Sequence, residues 1–89
     1  MKFTNTDHPV YQQLLGKARD AKRGGEGAWS VQSTGEKLAV ALVLNRPEWI
    51  AGMGYSLAEA IDRAGILWVS CVMAVARELK AEECSDRDD

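Results

Sequence analysis

The stretch Ile66–Ala76 limits what this chain can become more than any other. It reads Ile-Leu-Trp-Val-Ser-Cys-Val-Met-Ala-Val-Ala and carries no charge. Wound as a helix, it places apolar residues on three stripes. Trp68, Val72, Val75 and Leu79 form one; Ile66, Val69, Met73 and Ala76 a second; Leu67, Cys71 and Ala74 a third, with Ser70 alone interrupting. A helix apolar on every side must be covered on every side, by its own domain, by a partner or by lipid. Lipid is the poorest fit. The longest apolar run, Ala64–Ala76, falls short of the roughly 20 residues needed to span a bilayer.

Lys37–Leu44 makes a second stretch of the same kind, with Leu38, Ala39, Val40, Ala41, Leu42, Val43 and Leu44 in succession. A buried strand is the rival reading for Val40–Leu44. The residues in front favour a helix: Ser33-Thr34-Gly35-Glu36 is a capping box, in which the serine accepts from the Glu36 N–H and the glutamate reaches back. No pairing strand is evident elsewhere.

A chain of 89 residues is one domain. The sequence predicts an all-α fold, a compact bundle of four to five short helices at about 8–23, 34–45, 47–53, 57–64 and 66–82, with helix 66–80 at its centre. Asp7 reads as the N-cap of the first helix, with Pro9 in its first turn. Gly24-Gly25 is expected to stop that helix. Gly24–Gly27 is then a flexible loop and Trp29–Val31 a short extended piece. Asn45-Arg46-Pro47 breaks the second helix, because the residue before proline is pushed out of the α region. Ser56-Leu57-Ala58-Glu59 is another capping box. Gly65 divides the last two helices, although the apolar spacing runs straight through it. Residues 1–6 and 83–89 are expected to be flexible ends, with the acidic stretch from Glu82 onward frayed and solvated.

Charge narrows the choice of partner. The net charge is −2, but residues 81–89 hold five acids against Arg87, so the body of the chain has a slight basic excess. Strong nucleic-acid binders carry a clear basic excess, and this body is close to neutral. Cys71 and Cys84 lack metal-type spacing and suit a reducing compartment. With no apolar signal region at the N-terminus, the expectation is a soluble, cytoplasmic protein.

Few residues suggest chemistry. Gly52–Ser56 between two short helices invites a helix-turn-helix reading, but the second helix offers Glu59, Asp62 and Arg63, and phosphates repel the two carboxylates. Thr34–Lys37 reads Thr-Gly-Glu-Lys, which resembles the linker of tandem zinc fingers. Leu38 stands where proline is expected and no Cys/His set flanks it, so the residues are read as a helix cap. Gly24–Gly27 lacks the Lys-Ser/Thr pair of a phosphate loop and contains Glu26. His8 is the only histidine and has no orienting partner beside it. Glu59 and Asp62 share a helix face and read as a solvated surface moderated by Arg63. Cys84 lies among carboxylates, which disfavour its thiolate.

The aromatic residues are the best positive clue. There are three tryptophans and a single phenylalanine. Trp68 is expected in the core. Trp29, Arg46, Trp49 and Tyr55 form the candidate interaction surface, since tryptophan and arginine are enriched at binding hot spots. The competing reading has Trp29 and Trp49 capping the ends of a small core. The functional expectation is a non-enzymatic protein-interaction or regulatory module with no cofactor and no metal. Its expected partner is a second copy of itself, in a homodimer, with another protein as a further candidate; membrane and nucleic acid are not expected. The rival is a dimeric helix-turn-helix DNA-binding regulator.

Overall fold

A computed structural model describes residues 9–86, with side chains described over 10–83. Five helices follow one another: α1 (Pro9–Ser30), α2 (Thr34–Val43), α3 (Pro47–Gly52), α4 (Leu57–Ala64) and α5 (Ile66–Asp86). There is no strand among the described residues. The all-α bundle expected from the sequence is the fold observed. Asp7 and His8 lie outside the described residues, as do residues 1–6 and the last three, 87–89, of the expected flexible end 83–89.

The core is built around α2. Leu38, Ala39, Val40, Ala41 and Val43 are all buried, and α2 packs against each of the other four helices. Leu14, Leu15, Ala18 and Ala21 of α1 close one side, Ala60 and Ala64 of α4 another, and Cys71, Val75 and Leu79 of α5 a third. The helix enclosed on all sides is therefore the shorter apolar one. The longer α5 lies against α1, α2 and α4 with one face only. Trp68, expected in the core, is half-buried at its margin.

Local chemistry explains where these helices start and stop. Both capping boxes form. Ser33 Oγ accepts from the Glu36 N–H while Glu36 accepts from the Ser33 N–H, and Ser56 and Glu59 do the same for α4. At the end of α2, Asn45 takes a left-handed conformation (φ 59°). Its N–H donates to Leu42 O and the Arg46 N–H donates to Ala41 O. This is a Schellman stop, with asparagine in the position usually held by glycine. Gly65 ends α4 in a backbone region closed to residues with a Cβ (φ 93°, ψ 158°). Its N–H donates to Ile61 O, closing the last turn of α4, and its own carbonyl accepts from the Val69 N–H that opens α5. The division at Gly65 is real, and the continuous apolar spacing across it reflects two helices that share one core.

Two expectations need correction. The regular helix does stop at Gly24-Gly25, as expected, but Gly24–Gly27 is not a flexible loop. Gly25 kinks α1 (φ 73°, ψ −160°), and a further helical turn runs on to Ser30. The Trp29–Val31 segment is thus no strand: Trp29 lies on that turn and Val31 in the turn after it. Burial of the Trp29 ring supplies the reason to resume the helix. The second correction concerns the acidic end of α5, which stays helical through Asp86. Glu82 and Glu83 are held by Arg19 and Lys22 of α1, with Arg19 Nε donating to Glu82 Oε2 at 3.1 Å. Residues 83–86 thus continue the helix.

Candidate interaction surface

Two regions could meet a partner: a cleft beside the tryptophans and an apolar face on α4 and α5. The cleft contains Arg46 and Trp49, two of the candidate residues read from the sequence.

Trp29 is 4% exposed. Its indole N–H donates to Lys37 O at 2.8 Å, which fixes the turn after the kink against the first turn of α2. Trp49 packs on it, with ring centroids 4.7 Å apart and planes inclined by 32°. Arg46 covers the Trp49 ring, its guanidinium 5.6 Å from the centroid, and pairs with Glu48 at 3.6 Å. The Lys37 ammonium sits 5.3 Å from the Trp29 ring. Trp29, Trp49 and Arg46 thus form one stack from inside to outside. Trp29 is its buried floor and cannot itself touch a partner. Tyr55 is half-buried and packs against the core. Of the four candidate residues, Arg46 is the most open to solvent and Trp49 is half-buried.

Beside this stack lies an open cleft of about 390 Å³. Val43, Leu44, Trp49 and Leu79 supply its apolar lining, and Lys22, Arg46, Lys80 and Glu83 its charges. Lys22 is engaged by Glu83. Gly25, at the kink, and Ala21 line the cleft as well.

The second region was foreshadowed only by the all-round apolarity of Ile66–Ala76. Ile66 is 79% exposed, Met73 61% and Leu67 57%, and Leu57 and Ile61 of α4 are also open to solvent. Leu57 and Ile61 are neighbours at i and i+4 on α4, while Ile66, Val69 and Met73 follow one another along one face of α5. Ile61, Ile66 and Val69 meet across Gly65 in a groove of about 230 Å³ whose rim includes Asp62. Together the five exposed side chains of α4 and α5 present on the order of 500 Å² of apolar surface.

The remaining candidates are dispersed. Glu59 is committed to the α4 capping box, and Asp62 and Arg63 stand exposed on the same helix. Cys71 is a buried free thiol within the core, and the side chain of Cys84 lies outside those described. Among the described residues, no group of three His, Cys, Asp or Glu side chains is placed to hold a metal ion, and no helix is long and apolar enough to cross a membrane. Comparison with known proteins gave no match to any family model, curated protein or solved structure.

Proposed function

We propose that this chain is a non-enzymatic protein-interaction module that docks through the α4–α5 face. One observation carries the reading: Leu57, Ile61, Ile66, Leu67 and Met73 lie uncovered on two consecutive helices. Exposed apolar surface of that extent, with Ile61, Ile66 and Val69 joined in one groove, supports an association site. The Trp49–Arg46 stack is a second, smaller contact point, already ordered by the buried Trp29 beneath it. The free thiol of Cys71 suits a reducing compartment, and we place the module in the cytoplasm.

The test is capture of partners by the full chain after nuclease treatment, in parallel with I66D. Ile66 is exposed, so the substitution leaves the core intact. The expected result is that I66D loses its protein contacts while its helical circular dichroism is unchanged. Contacts that survive I66D but vanish with R46A would transfer the role to the cleft. Recovery of nucleic acid alone, released by salt, would replace the reading with DNA binding through α3 and α4.

A further inference from the structure

We infer that the occupant of the α4–α5 face is a second copy of this chain, held by antiparallel pairing of α5 with α5 about a twofold axis. In this pairing Met73 of each copy fills the groove formed by Ile61, Ile66 and Val69 of the other, and Arg77 of each copy meets Asp62 of the other. The inference rests on the reading above that this face is the docking surface, and it names the partner.

An interface between identical copies must be self-complementary, so a projection and its recess have to lie on the same patch. This patch has both. Met73 projects into solvent from α5. The groove between Ile61 and Val69 is open and apolar apart from Asp62 at its rim. Met73 lies four residues beyond Val69 on the same helix face. Projection and recess are therefore adjacent along one helix, as a twofold antiparallel contact requires. Methionine suits the task, because its unbranched side chain adapts to irregular gaps.

Charge then supplies a check that shape did not anticipate. Seating Met73 opposite Val69 of the other copy fixes the register. Four residues further on, Arg77 falls opposite Gly65 of the other copy. Gly65 and Asp62 line the same groove. Arg77 and Asp62 are both exposed, and among the described residues neither has an ion-pair partner within its own copy. The register chosen to bury a methionine thus brings two unpaired opposite charges together, twice by symmetry. A heterologous protein could use the apolar face, but it would have to supply its own knob and its own cation for Asp62.

The experiment is sedimentation of the full chain over a range of concentrations, with four variants. Wild type is expected to dimerise reversibly. M73D should be monomeric at every concentration with unchanged circular dichroism. D62R and R77D should each weaken the dimer roughly tenfold, because each places like charges in contact at both ends of the interface. The double variant D62R/R77D should recover most of the wild-type affinity. A dimer indifferent to both single swaps overturns the antiparallel register and leaves the docking face standing. Single swaps that weaken the dimer without rescue in the double variant overturn the Asp62–Arg77 pairing. A wild-type chain that stays monomeric into the tens of micromolar overturns the second copy as partner. The module reading then stands or falls separately, on the I66D capture.

Discussion

α2 and α5 have the same kind of sequence and opposite fates. Both contain long uncharged apolar runs, and both demand cover on all sides if read as helices. α2 is 10 residues long and obtains that cover from the other four helices. α5 is 21 residues long and buries Cys71, Val75 and Leu79, while Ile66, Leu67 and Met73 face outward. The difference is one of supply. α1, α3 and α4 can surround one short helix, and the surface they have left covers a single face of the longer one. An apolar run therefore states a need for burial without stating who meets it. In α2 the other helices meet it; in α5 the side carrying Ile66, Leu67 and Met73 stays open in the single chain.

The sharpest way to break this comparison is to remove the same side chain from each helix. Leu38 is fully enclosed in α2, and L38A should cost about 2–5 kcal/mol through lost burial and the cavity left behind. Leu67 is exposed on α5, and L67A should change the stability of the monomer by less than about 0.5 kcal/mol. Urea unfolding at high dilution, below any self-association, measures both. Comparable losses would mean that the outer face of α5 is covered within one copy, and the contrast would collapse.

A smaller effect sharpens the point where the two apolar segments are separated. Gly65 holds α4 and α5 apart at φ 93° and ψ 158°, a conformation that a Cβ opposes whatever the free space. G65A should cost about 1–3 kcal/mol. Gly52, at the end of α3, has neither a positive φ nor a neighbour within 4 Å of an added Cβ. G52A should be neutral or stabilise by about 0.4–1 kcal/mol through the unfolded chain. Thermal unfolding of the two variants side by side distinguishes backbone strain from a general intolerance of substitution at helix ends.

The parts of this architecture that were legible in the sequence are those written in consecutive residues. Ser33 with Glu36 and Ser56 with Glu59 are reciprocal caps whose partners lie three residues apart, so the helix starts could be read directly. The break at Gly65 is likewise local. What escaped depends on distant partners. Nothing near Gly24-Gly25 says that the helix resumes, because the force that resumes it is the burial of Trp29 against Trp49 and the Lys37 carbonyl. Glu82 and Glu83 look like a solvated tail until Arg19 and Lys22 are brought beside them from the other end of the chain. The candidate site was half legible for the same reason. Arg46 and Trp49 do line a cleft, but the burial of Trp29 and the outward turn of the Ile66–Val69–Met73 stripe are set by the docking of α5 on α1 and α2. No residue within that stripe encodes the choice.

The smallest effect concerns how each of the two helices is tied to α1. Glu36 of α2 accepts from Gln13 Nε2 at 3.0 Å and lies 4.0 Å from the Lys17 ammonium. Partial burial pushes its pKa up, but the hydrogen bonds from Ser33 and Gln13 and the charge of Lys17 outweigh that and hold it below the usual 4.5. Glu82 of α5 is held below the same value chiefly by its hydrogen bonds from Arg19. A carboxylate with a depressed pKa contributes stability above about pH 4.5 and loses it as the pH falls through the lower, folded value. Stability should therefore decline below about pH 4.5 in wild type, with a shallower decline in E36Q and in E82Q. Salt separates the two ties. The Glu82 pair lies near the surface, where ions screen it, whereas the Glu36 side chain is 13% exposed and also bonded to neutral groups. High salt should flatten the Glu82 contribution and leave most of that of Glu36. If both vanish equally in salt, the α2 tie is as superficial as that of α5, and the distinction between an enclosed helix and a half-covered one does not extend to their attachments.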